Sequence, residues 1–189
     1  VVTTLIDEAD PAILNNITTI KISKTFKPTL NDALKYTVSF SNALYNPHSG
    51  HLASTTGTTA GGILSSSGFT ITGDANTYYV EDDGAGLVNA YYISGTSKVY
   101  MTTGSVGTID YTTGDVVLTK ISIATVGDVD GASSNYIRLT VQPASNDIVP
   151  VRNQILQIDA VNLSVTGTAD TIAAGAGDAG VNYTTTSSY

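Results

Sequence analysis

The chain has no cysteine and no tryptophan, one methionine and two histidines. Without cysteine it has no disulfide staples, no thiolate metal site and no cysteine nucleophile; this fits assembly in a cytosol without excluding secretion. Charge is scarce as well. Asp, Glu, Lys and Arg make up 13% of the 189 residues, against about 25% in an ordinary globular domain. The charge present is acidic on balance, giving a formal net charge of −8 and a sequence pI near 4.3. Such a chain lacks the phosphate attraction behind most non-specific nucleic-acid affinity, so no nucleic-acid partner is expected. No apolar run approaches the ~20 residues of a membrane-spanning helix, and no signal peptide is seen, so no membrane partner is expected. The opening, Val1-Val2-Thr3-Thr4-Leu5-Ile6, reads as text from the middle of a longer protein.

Threonine, serine, glycine and alanine fill the space that charge leaves. β-Branched threonine suits a half-exposed pleated surface, so hydroxyls and amides supply the polarity, as in a protein that sits inside an assembly. The region from Tyr78 to Lys120 is the clearest organiser: short apolar segments are cut by Asp82-Asp83-Gly84-Ala85-Gly86, Ser94-Gly95, Thr102-Thr103-Gly104 and Thr112-Thr113-Gly114. Strands joined by short glycine loops are antiparallel hairpins.

Elsewhere Tyr36, Val38 and Phe40 alternate with Lys35, Thr37, Ser39 and Ser41, and Ile137, Leu139 and Val141 alternate with Arg138, Thr140 and Gln142. A period of two marks half-buried strands. Ile20 and Ile22, Phe69 and Ile71, Ile121 and Ile123, and Ile155 to Val165 add further expected strands. Asp10-Pro11 opens an expected short helix through Asn16. Ala53 to Gly68 reads as a mobile loop or a peripheral ribbon, and Gly127 to Asn135 as a loop. The expectation is a mainly β protein, an antiparallel β-sandwich-like domain over residues 17–166, with a connecting segment 1–16 and an arm-like tail 167–189.

No residue set assembles into a catalytic site, and no cofactor is expected. His48 and His51 share a proline-glycine turn without the third ligand that zinc needs. No nucleophile elbow accompanies Ser49 or Ser54, and Gly57 to Gly62 lacks the lysine of a phosphate loop. Glu81-Asp82-Asp83-Gly84 and Asp128-Val129-Asp130-Gly131 raise calcium, but an EF-hand through Gly131 fails at Val126 and Ile137. Asp-Gly pairs are common turn chemistry, and turns are the expected reading of both clusters. Lys21, Lys24, Lys27 and Lys35 gather half the basic residues near the start. They read as a solvated strand face or as a docking face for an acidic neighbour.

An ordered series of motifs resembles the C-terminal region of the large baseplate wedge protein of T-even-type contractile-tailed bacteriophages, marine relatives in particular. It runs from Ile6-Asp7-Glu8-Ala9-Asp10-Pro11-Ala12-Ile13 through Asn46-Pro47-His48-Ser49-Gly50, Ser65-Ser66-Ser67-Gly68-Phe69 and Asp82-Asp83-Gly84. It closes with Val106-Gly107-Thr108-Ile109-Asp110-Tyr111 and Pro143-Ala144-Ser145-Asn146-Asp147, running on to Arg152-Asn153-Gln154. The resemblance implies a structural protein of the virion tail, assembled in the host cytoplasm. It implies no catalysis, and partners that are a second copy of the chain and other wedge proteins, joined in the ring around the tail hub. The polar segment Asn146, Asp147, Arg152, Asn153 and Gln154 is the candidate interface. The alternatives from other classes are a carbohydrate-binding or adhesin-type β-module, kept open by Tyr78-Tyr79 and Tyr91-Tyr92, and an aspartate-based polysaccharide hydrolase.

Overall fold

Ten strands follow one another in the computed structural model, which describes residues 7–10, 13, 16–47, 62–146, 148 and 156–167. They are β1 Ile22–Phe26, β2 Ala33–Ser39, β3 Ser65–Ser66, β4 Phe69–Ile71 and β5 Asp74–Asp82, then β6 Leu87–Ser94, β7 Ser97–Tyr100, β8 Gly107–Asp110, β9 Asp115–Val126 and β10 Ile137–Val141. The chain divides into two compact units, Val1–Ile155 and Leu156–Tyr189, and all ten strands belong to the first.

The mainly β, antiparallel architecture expected from the sequence is present, with almost no helix. The two facing sheets of a sandwich are not what the ladders describe. One continuous antiparallel sheet holds every strand, and it closes into a seven-strand barrel. Closure has a plain cause: twisted strands with one apolar face curl until that face is enclosed. The Leu44–Pro143 bridge ties the chain beyond β2 to the chain beyond β10.

β9 is the strand around which the barrel turns, because it pairs with β2, β8 and β4 along its length. Its inward residues are Val116, Leu118, Ile121 and Ile123, each no more than 2% exposed. Their spacing slips from two to three between Leu118 and Ile121. At that point the register with β2 jumps from Tyr36↔Leu118 to Leu34↔Ile121. This is a β-bulge: the extra residue on β9 bends the strand and lets both halves present aliphatic side chains to one interior. β10 completes the core with Ile137, Leu139 and Val141, all at 1% exposure or less. Burying each such side chain stabilises the fold by about 1.5–3 kcal/mol.

Three of the four glycine turns make hairpins: β5 meets β6, β6 meets β7 across Gly95-Thr96, and β8 meets β9. The fourth, Thr102-Thr103-Gly104, does not, because β8 pairs with β6 instead of β7. Three other expectations need correction. The part of the expected 53–68 loop that is described is not peripheral: Leu64 is 3% exposed and β3 pairs with both β10 and β5. Of the expected helix from Asp10 to Asn16, residues 11, 12, 14 and 15 lie outside the described set, and Asp10, Ile13 and Asn16 are not helical. In the second unit, described residues 156–167 hold no strand, although Val161, Leu163 and Val165 alternate as one would. The Asp159 carboxylate accepts the backbone N–H groups of Val161 and Asn162, a local turn that competes with an extended ladder.

Candidate functional site

Three adjacent acids, Glu81, Asp82 and Asp83, leave β5 in three directions. Strand alternation sends Asp82 inward, where it is 0% exposed and, among the described residues, the one buried charged side chain of the core. Its Oδ1 accepts Leu64 N–H at 2.7 Å; its Oδ2 accepts the Tyr111 hydroxyl at 2.6 Å and Gly84 N–H at 3.2 Å. A buried carboxylate persists only when its lone pairs are satisfied in this way. The approach of residue 62 is equally close. A Cβ on Gly62 would lie 2.1 Å from Asp82 Oδ1 and 2.2 Å from its backbone oxygen, so only glycine fits there. Burial and the Asp82 carboxylate hold the Tyr111 phenol well above its usual range.

Asp83 turns outward into the β5–β6 connection, where Oδ1 accepts Ala85 N–H at 2.8 Å and Leu87 N–H at 3.0 Å. Asp110 does the same for the β8–β9 turn through Thr112 and Thr113 N–H, which lowers its pKa. Asp74 accepts Asn76 N–H and the Tyr78 hydroxyl, so its pKa is lowered too, while burial and then Asp74 push the Tyr78 phenol up to about 12. In the second acid–glycine cluster Asp130 holds the Arg138 guanidinium in a two-pronged ion pair, with the Nη2 contact at 2.7 Å. Asp130 and Gly131 both take positive φ, 55° and 75°, in the tight turn closed by Val129 and Ala132. These carboxylates are occupied by turns and framework bonds, and no group of three or more metal-ligating side chains forms among the described residues.

The outer face of β5, β6 and β7 carries a different constellation. The registers set Tyr79 opposite Tyr91 and Tyr91 opposite Tyr100. Ring centroids are 5.8 Å apart at both steps, with tilts of 31° and 55°. Lys98 Nζ sits 4.5 Å from the centroid of Tyr91, and Glu81 binds both the Lys98 ammonium and the Tyr100 hydroxyl. That ion pair raises the Lys98 pKa, and burial raises that of Tyr91. Gly68 lies beneath the end of the row: a Cβ there would come within 3.4 Å of the Tyr79 ring. The strip is aromatic and charge-balanced, and Ile93 beside it is 57% exposed. On the inner face Tyr78 and Tyr92 pack edge to face at 5.4 Å, so each tyrosine pair divides between the two faces as alternation requires.

Of the candidate interface, Asn146 is exposed and its side-chain amide reaches the Thr18 carbonyl at 3.5 Å. Asp147, Arg152, Asn153 and Gln154 lie outside the described residues, as do His48 and His51. The part played by Tyr100, Lys98 and Glu81 was not anticipated from sequence. A signal was there: a two-residue turn at Gly95-Thr96 forces Ser94 opposite Ser97 and hence Tyr91 opposite Tyr100. The Asp82 contacts had no such signal, because Leu64 and Tyr111 are 18 and 29 residues away. No protein family, no curated protein and no solved structure matches this chain.

Proposed function

We propose that the chain is a non-catalytic structural module of a contractile phage tail, joining baseplate wedge subunits into the ring around the tail hub. One observation carries this reading. Two of the motifs behind the phage resemblance, far apart in sequence, meet at one buried point, and a third begins one residue from it. Asp82-Asp83-Gly84 supplies the carboxylate and a turn amide, Tyr111 ends another motif and donates to it, and Leu64 donates immediately before Ser65-Ser66-Ser67. Motifs that build one framework knot belong together as a unit, which supports a common fold as the source of the resemblance. Asp74, Asp83 and Asp110 are engaged by local backbone N–H groups and Asp130 by Arg138, which favours scaffolding over chemistry at these acids. Light scattering across a concentration series tests the self-association in this reading: a dimer or larger species is expected, and a strict monomer at high concentration removes the second copy as partner. Labelling of purified virions with an antibody to the chain tests the placement, and label away from the tail baseplate would sink it.

A second reading, a carbohydrate-binding module, is favoured by the Tyr79–Tyr91–Tyr100 strip, since solvent-facing aromatic rows are surfaces on which sugar rings stack. A glycan-binding screen of the native chain beside Tyr91→Ala separates the two readings. Binding that is lost in the variant supports the module, and no binding leaves the scaffold.

A further inference from the structure

We propose that β1 is a strand-acceptor edge for an acidic, extended segment of a second protein. This proposal is independent of the tyrosine strip. Consecutive strands usually pair, yet β1 and β2 do not. β1 bonds to β10 and β2 to β9, and only side chains bridge the two, with Lys24 Nζ donating to the Ser39 carbonyl and the Phe26 and Tyr36 rings 5.1 Å apart. β1 therefore ends the ladder, with one edge unpaired among the described residues. The polarity of that edge follows from β10. On the β3 side Arg138 N–H donates to the Ser67 hydroxyl and its C=O accepts Ser67 N–H, so Ile137, Leu139 and Val141 turn theirs to β1 and meet Phe26, Lys24 and Ile22. The backbone groups of Ser23 and Thr25 then face outward from the sheet edge, ready to receive another strand.

The charge around this edge has one sign. Lys21, Lys24, Lys27 and Lys35 stand within fifteen residues, Asp32 is the sole acid between Pro11 and Asn46, and the whole chain is −8. Lys21 and Lys27, exposed, bracket the edge on the same side as Ser23 and Thr25. Arg138, opposite Thr25, is already neutralised by Asp130, and the two ion pairs among the described residues leave these lysines out. Like charges keep two copies of β1 from pairing with each other, which is how sheet edges avoid self-aggregation. The same lysines complement a strand whose outward side chains are Asp or Glu, so attraction to the partner and rejection of self come from one feature. Edge backbone groups select a peptide over a polyanion without N–H donors.

The test uses the intact chain and two capped hexapeptides, Ac-Glu-Val-Glu-Val-Glu-Thr-NH2 and its lysine counterpart Ac-Lys-Val-Lys-Val-Lys-Thr-NH2, followed by amide NMR and hydrogen exchange. In the free chain the Ser23 and Thr25 amides are expected to exchange rapidly. The acidic peptide should slow them and bind more weakly as salt rises, while the lysine peptide should not bind. Lys21→Glu with Lys27→Glu should weaken the acidic peptide by about tenfold, as expected for two reversed surface charges. Thr25→Pro removes an outward N–H without touching the β10 ladder and should abolish protection at the edge while leaving the fold intact. Four results would each overturn the proposal: slow exchange at Ser23 and Thr25 in the free chain, meaning the chain covers its own edge; no binding of the acidic peptide; perturbations away from β1; or binding unchanged by Thr25→Pro, meaning charge alone.

Discussion

Glu81-Asp82-Asp83-Gly84 and Asp128-Val129-Asp130-Gly131 look alike on paper, each placing acids beside a glycine. In the fold they are opposites. The first ends a strand at the centre of the barrel, so alternation drives Asp82 into the core, where it collects two backbone N–H groups and a phenol from three separate segments. The second closes a surface turn, where Asp130 pairs with Arg138 and both side chains remain partly exposed, at 25% and 21%. Local chemistry made both turns. Burial alone decides that one is a structural hub and the other a minor clasp.

The largest test of that contrast is Asp82→Ala. It strands the Leu64 N–H and the Tyr111 hydroxyl without an acceptor, and each unsatisfied buried group costs about 1–3 kcal/mol. We expect a loss of at least about 3 kcal/mol in urea unfolding, and a loss below about 1 would mean that water replaces the carboxylate. Tyr111→Phe removes one donor and keeps the ring, so the expected loss is about 1–2 kcal/mol, as for a hydrogen bond to a charged acceptor. Asp130→Asn retains a residue suited to positive φ and loses the ion pair, with an expected cost of about 0.5 kcal/mol that shrinks further in high salt. If Asp130→Asn costs as much as Asp82→Ala, the distinction drawn from burial fails.

Titration gives the smallest and most diffuse effect. Asp74 and Asp110 have folded pKa values below their ordinary 3.8. Their contribution is therefore present above that value and is lost as the pH falls through the lower folded one. Urea midpoints should fall on acidification below about pH 4, and Asp74→Asn with Asp110→Asn should flatten the decline. Tyr78 behaves in the opposite sense, since its phenol is raised from 10.0 to about 12: its contribution is intact below the unfolded value and fades as pH climbs through the folded one. A midpoint that holds steady across the alkaline range would contradict the Tyr78–Asp74 contact.

Much of this was written locally. The alternations at Tyr36–Phe40 and Ile137–Val141 are strands with Val38, Phe40, Leu139 and Val141 in the core. The slip between Leu118 and Ile121, the bulge that bends β9, came only from the register with β2. By contrast Val161, Leu163 and Val165 share the same alternation and form no strand. Periodicity states which side chains agree on a face; a strand also needs a neighbour to take its backbone groups, and that neighbour is not encoded nearby.

The candidate sites divide along the same line. Tyr91 opposite Tyr100 follows from a two-residue turn, and Tyr78 and Tyr79 on opposite faces follow from the pleat. Lysines crowded near the start were visible in the text, while their position on an unpaired sheet edge depended on β1 pairing with a strand more than a hundred residues away. The sequence by itself determined the class, three of the four expected hairpins and many inward residues, because turn chemistry and a period of two act between near neighbours. Only the tertiary structure decided that the sheet closes as a barrel, that Asp82 is its buried hub and that one edge of β1 is unpaired among the described residues. Those outcomes depend on which distant strands share backbone hydrogen bonds, and no short stretch of sequence contains both partners.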